Sequence, residues 1–144
     1  MDSALYDLNR VACLCMGVQI SGYGDGGVSI SKESEEVERS ANADGSGSVY
    51  SKINDRVYVV TIELNPHTSQ AHRLLDEQVR LFRSDRNINR RFFLRDPGNG
   101  DKISSRICVV KKVPDIVKAK SAGMVTWEFF IEPEPDSVIR GGSL

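Results

Sequence analysis

The sequence predicts a mainly β chain: an antiparallel β-sandwich or barrel with one covering α-helix. Six or seven short segments alternate or run apolar as strands do, separated by clusters of Gly, Pro, Asn and Asp. Only one segment, about 69–83, carries a helical apolar stripe. At 144 residues, 40% hydrophobic and 27% charged, the chain has the size and balance for one domain over residues 1–144.

Residues 9–16 are continuously apolar after Arg10, the pattern of a strand buried on both faces or of one buried in an assembly, and Val18-Gln19-Ile20 continues past Gly17. Residues 21–27 are glycine-rich and are expected to form a hairpin turn. Residues 28–32 alternate as a second strand, which 33–39 either extend or follow with a third. Residues 40–56 are polar and are expected as a long loop, a feature that in small domains tends to be functional or interfacial. Residues 57–64 form the clearest strand, with Tyr58, Val60, Ile62 and Leu64 on one face and Val57, Val59, Thr61 and Glu63 on the other.

Thr68 or Ser69 can cap the helix. Ala71, Leu74, Leu75, Gln78, Val79 and Phe82 make one stripe, while Arg73, Asp76, Glu77 and Arg80 face out. Strands follow at 91–95 and 103–112, on either side of the turn Asp96-Pro97-Gly98-Asn99-Gly100. The lysine-bearing segment 113–122 contains Pro114 and is expected as a loop. The last strand, 123–132, sets Val125, Trp127, Phe129 and Ile131 against Met124, Thr126, Glu128 and Phe130, and Pro133 and Pro135 stop it. A mobile tail is expected from about 134. Several strands are apolar or mixed on both faces, whereas a lone sandwich wets its outer faces, so partners are expected to cover part of the surface.

Charge and motifs exclude more functions than they suggest. Net charge is −1, from 19 basic and 20 acidic residues, against the basic excess of a dedicated nucleic-acid binder. No run approaches the roughly 18 apolar residues of a membrane span. Two aspartates precede Arg10, unlike a secretory leader, so a cytoplasmic site of synthesis and residence is expected. His67 and His72, five apart, do not share a helix face, which is poor geometry for a metal. Cys13 and Cys15 share a strand face with the spacing of small core residues rather than of zinc ligands. Gly22-x-Gly24-x-Gly26-Gly27 precedes a strand rather than a helix and lacks the amide nest of a phosphate loop.

Two charged clusters remain. Glu33, Glu35, Glu36 and Glu38 supply carboxylates, but a hydrolase needs two of them held at a set separation in a pocket, and a run of this kind reads first as a solvated face. Arg83, Arg86, Arg90, Arg91 and Arg95, interleaved with Phe82, Phe92 and Phe93, form the basic cluster. It suits either salt bridging between subunits or a small β-barrel module that binds single-stranded nucleic acid.

Three motifs carry a family resemblance: Gly17-Val18-Gln19-Ile20-Ser21-Gly22-Tyr23-Gly24-Asp25-Gly26, the pair Ala43-Asp44-Gly45 and Ser51-Lys52-x-Asn54-Asp55-Arg56, and Trp127-Glu128-Phe129. In this order and spacing, over about residues 8–132, the chain resembles the tail tube proteins of contractile-tailed bacteriophages, which are related to type VI secretion tube proteins. The resemblance implies the tail tube fold, no catalysis and no cofactor. It implies a virion protein, assembled in the bacterial host cytoplasm, whose hexameric rings stack into a tube through which DNA is delivered. The expected partners are further copies of the chain, the tail sheath protein, a baseplate initiator and a tape measure protein, with no membrane. Lys52, Asn54, Asp55 and Arg56 would make the contacts between rings. Glu33, Glu35, Glu36 and Glu38 would place negative charge toward the channel and repel DNA phosphates.

Overall fold

Alternating strands and one amphipathic helix build a shared core between two four-stranded antiparallel sheets. The computed structural model describes residues 8–84, 90–115, 118 and 123–138. After a 3-10 turn at Leu8–Arg10 come β1 (Ala12–Cys15), β2 (Val18–Gln19), β3 (Tyr23–Lys32), β4 (Val37–Ala41), β5 (Ser48–Lys52) and β6 (Tyr58–Leu64). Helix α1 (Gln70–Arg83) follows, then β7 (Phe92–Asp96), β8 (Asp101–Ser105), β9 (Cys108–Lys112) and β10 (Val125–Ile131). The first sheet has the order β2-β1-β7-β8 and the second β3-β6-β10-β9, while β4 and β5 form a separate hairpin.

The inward face of each strand is the apolar one that its alternation marks. Cys13 and Cys15 of β1, Phe92 and Leu94 of β7 and Ile103 of β8 meet Tyr58, Val60, Ile62 and Leu64 of β6 and Trp127, Phe129 and Ile131 of β10 in one buried cluster. Helix α1 adds Ala71, Leu75 and Val79. Its stripe is narrower than expected, because Leu74 is exposed. Ser69 caps the helix by accepting a hydrogen bond from the His72 amide. The buried Ser69 hydroxyl also donates to the Ser21 carbonyl at 2.6 Å, which ties the helix start to the strand crossover. Asp76 and Arg80 form the expected i,i+4 pair at 3.1 Å.

The chain passes directly from one sheet to the other at two corners, and a third time through helix α1 between β6 and β7. At the first, between β2 and β3, Gly22 has φ +72, and a Cβ there would lie 2.8 Å from the Ser69 Cβ. At the second, between β8 and β9, the buried Ser105 hydroxyl donates to the Ile107 carbonyl and accepts from the Ile107 and Glu132 amides. This corner corrects the single strand expected at 103–112. Ile103 and Ser105 point inward before it and Cys108 after it, so the inward phase slips by one residue as the strand changes sheet.

Other expectations change for physical reasons. Ten strands form among the described residues instead of six or seven. The glycine-rich stretch is not a hairpin turn. It is the start of β3, with a register shift between Tyr23 and Val28, and the Glu63 side chain lies over Gly24 and Gly26, where a larger residue would clash. β1 is buried on one face only: Cys13 and Cys15 are buried, Ala12 is exposed and Leu14 is half-buried. The segment 40–56 is loop only in part, because Ser48–Lys52 pairs with Val37–Ala41. The tail expected to be mobile is tethered as far as Val138, whose amide and carbonyl both bond Lys102 at 2.7 Å.

The edges of the two sheets differ. β2, at one edge of the first sheet, is two residues long, and β8, at the other, pairs with Val138. The second sheet ends on ten-residue β3 and five-residue β9, and neither has a strand on its outer side among the described residues.

Candidate functional site

The arm made by β4 and β5 stands away from the core. Every residue of both strands is exposed except Ser48, which is half-buried. A two-stranded hairpin without a core is marginal in water, yet this one exposes Tyr50, Val49 and Val37, with Tyr50 68% accessible. Its tip is locally well determined. Asn42 and Gly47 close it, Gly45 takes φ +77, and the Asp44 carboxylate accepts from both the amide and the hydroxyl of Ser46. Those bonds hold the Asp44 carboxyl below its usual range. The sequence signal for this arm was Asp44-Gly45, a hairpin turn pair, with Val49-Tyr50 a few residues after it and Val37 before it. Val37, Val49 and Tyr50 are the residues that a loop reading passes over.

Cross-strand pairing sorts the arm into two faces. Glu38 lies opposite Ser51 and Ser40 opposite Val49, which makes one face; Val37 opposite Lys52 and Arg39 opposite Tyr50 make the other. Lys52 ends β5, and Asn54, Asp55 and Arg56 are exposed on the segment leading back to β6. Asp55 is partly engaged at home, since its carboxylate accepts the Val57 amide at 3.1 Å.

The four glutamates are not gathered into one site. Glu33 reaches Lys111 of β9 at 3.8 Å, and Lys111 also lies over the Phe130 ring at 5.5 Å, so this pair spans the outer face of the second sheet. Glu36 pairs with Lys32 at 2.9 Å. Glu35 and Glu38 are exposed on the stem and first strand of the arm.

The arginine cluster is rearranged by the fold. Phe92 is buried and unavailable for stacking, while half-buried Phe93 faces out. Arg91 and Arg95 are exposed and fall on the Phe93 side of β7 by alternation. Pairing places Leu14, Phe93 and Ser104 in one cross-strand row and Ala12, Arg95 and Lys102 in the next. The outer face of the first sheet is therefore an apolar strip edged by cations. Lys102 joins through the register that the Asp96–Asp101 hairpin sets. Arg83 is exposed in the last helical turn and Arg90 is exposed before β7, while Arg86 falls outside the described residues.

Among the described residues no group of three or more His, Cys, Asp or Glu side chains is placed to hold a metal. Cys15 and Cys108 meet across the sandwich with sulfurs 3.3 Å apart, both fully buried. Burial raises the Cys15 thiol and pushes Cys13 up to about 12, so both stay protonated packing groups. His72 is a structural partner: its Nδ1 accepts the Trp127 indole N–H at 3.1 Å, and the rings meet edge to face. Burial, with Arg73 adding to it, lowers the His72 pKa. His67 is exposed. Among the described residues no helix is long and apolar enough to cross a membrane.

Compared with known families, the chain matches that of the bacteriophage PhiTE tail tube protein over residues 11–133, from just before β1 through the end of β10. No curated protein matches it.

Proposed function

The chain belongs to the bacteriophage PhiTE tail tube protein family, and from that premise we propose that it is the repeating subunit of a phage tail tube, a structural part of the virion without catalysis. The observation that carries this reading is the family match, which takes in every strand of both sheets.

In this reading subunits form hexameric rings, rings stack, and DNA passes along the channel. The edges supply a physical route. The short edge β2 and the occupied edge β8 blunt the first sheet, while among the described residues β3 and β9 leave the second sheet open at both ends. Placing β9 of one subunit beside β3 of the next continues that sheet around a ring and removes its exposed edges. The outer face of the second sheet, with Glu33 and Lys111, then faces the channel. Glu35, Glu36 and Glu38 travel instead with the arm. The arm, with Lys52, Asn54, Asp55 and Arg56 at its base, reaches toward the next ring. A sheath, a baseplate initiator and a tape measure protein complete the assembly of a contractile tail in the host cytoplasm.

The test is negative-stain imaging of the purified protein beside its light-scattering mass. Rings or hollow tubes support the reading. A monomer at every concentration, with or without a preformed tail end as seed, overturns it. The exposed Arg95, Lys102 and Phe93 face favours one rival, a single-strand nucleic-acid module. Salt-sensitive oligonucleotide affinity in a stable monomer would support that rival.

A further inference from the structure

Two surfaces of the chain carry opposite charge, the Glu38 face of the arm and the outer face of the first sheet. Residues 35–56, which contain the arm, hold five acidic and three basic residues, while residues 90–102, which lead into and form most of the β7–β8 hairpin, hold four basic and two acidic. The acidic side of the arm is the Glu38 face, with Val49 57% exposed beside it and Glu35 on the stem. The basic side is the outer face of the first sheet, where Arg95 and Lys102 stand in one cross-strand row and Leu14 and Phe93 in the next. Each surface sets apolar side chains beside charge, Val49 on the arm and Leu14 and Phe93 on the sheet, and the two charges are opposite. Neither surface is covered by another described part of the same subunit.

We propose that the Glu38 and Val49 face of the arm docks on the Arg95, Lys102 and Phe93 face of a second copy of this chain. Val49 covers the Leu14 and Phe93 strip, and the Glu38 and Glu35 carboxylates meet Arg95 and Lys102. The contact is heterologous, since arm meets sheet rather than arm meeting arm, so it propagates from copy to copy as a tube requires. It also explains why an arm with no core of its own keeps Val49 exposed. The opposite face, with Tyr50, Arg39 and Lys52, stays free for a further neighbour. The proposal rests on the tail tube reading and names the surface that receives its arm.

Charge reversal tests it in the full chain. E35K/E38K and R95E/K102E are expected to keep the wild-type circular dichroism and urea midpoint, because all four side chains are exposed. Like charges then face each other across the contact, and the concentration needed for assembly is expected to rise more than about 100-fold in each variant. The four-fold variant E35K/E38K/R95E/K102E restores opposite charges and is expected to assemble near the wild-type concentration. Cysteines placed by S51C and K102C are expected to cross-link between subunits in assembled material, since the three native thiols are buried. If wild type forms tubes and both reversed variants do too, or the four-fold variant fails to recover, the docking is wrong and the tube reading stands. If wild type forms no assembly, both fall. If the wild-type monomer binds single-stranded oligonucleotide and R95E/K102E abolishes that binding, the basic face serves nucleic acid and the proposal is overturned.

Discussion

Replacing Trp127 with alanine should remove a large share of the subunit's stability, and the structure says by how much. Trp127 is fully buried in β10, stacked near-parallel with Phe129 at 6.0 Å and edge-on to His72 at 5.7 Å. It therefore joins the second sheet to helix α1. Truncating a buried Trp costs about 3–5 kcal/mol from lost transfer energy and the cavity left behind. The lost indole hydrogen bond lies within that figure and is worth about 0.5–1.5 kcal/mol net. A domain is stable by about 5–15 kcal/mol, so Trp127→Ala removes a third or more of the total in most of that range. Trp127→Phe keeps much of the volume and loses the bond, so it should cost about 1–2 kcal/mol. The assay is urea unfolding followed by far-ultraviolet circular dichroism, since the substitution removes the sole tryptophan. With a urea slope of about 2 kcal/mol/M, the alanine variant's midpoint should fall by about 1.5–2.5 M. A loss below about 1 kcal/mol, or equal losses for Phe and Ala, would refute the idea that this ring locks helix to sheet.

Other consequences follow from particular residues. His72 must be neutral at Nδ1 to accept the indole proton, and its folded pKa lies below the ordinary 6.5. Its contribution to stability is therefore complete above about pH 6.5 and is lost as pH falls through the lower folded value. An NMR titration midpoint at or above 6.5 would contradict this. Gly22→Ala puts a Cβ against both the backbone and side chain of Ser69 at a positive φ, and should cost about 1–3 kcal/mol by thermal or urea unfolding. An unchanged melting curve would show that the corner relaxes freely. The thiols of Cys13, Cys15 and Cys108 should resist an aromatic disulfide reagent in the folded subunit and react together on unfolding. Rapid labelling of one of them under native conditions would show local opening of the sandwich.

The fold was legible where one period dominated. Residues 125–131 bury one face, as alternation requires, residues 58–64 bury the same kind of face and Val59 besides, and the helix begins at the serine cap and ends at Arg83. The sequence was harder to read where tertiary packing set the outcome. Glycines at 24, 26 and 27 suggested a turn, yet they lie in a strand, where Gly24 and Gly26 leave room for the Glu63 side chain and Gly27 takes φ +57. Alternation through 103–112 looked unbroken because nothing local marks a strand leaving one sheet for the other. The polarity of 40–56 concealed a hairpin whose apolar residues face solvent in the lone subunit. The arginine cluster was visible as composition, but the row that joins Arg95 to Lys102 required the register of β7 against β8.

The most direct measurement is a cryo-electron microscopy reconstruction of material assembled from the purified chain. The account predicts a hollow tube of stacked sixfold rings in which β9 lies beside β3 of the next subunit and the arm leaves its own sandwich for a neighbour. Monodisperse single subunits at millimolar concentration, even when seeded with a preformed tail end, would contradict it.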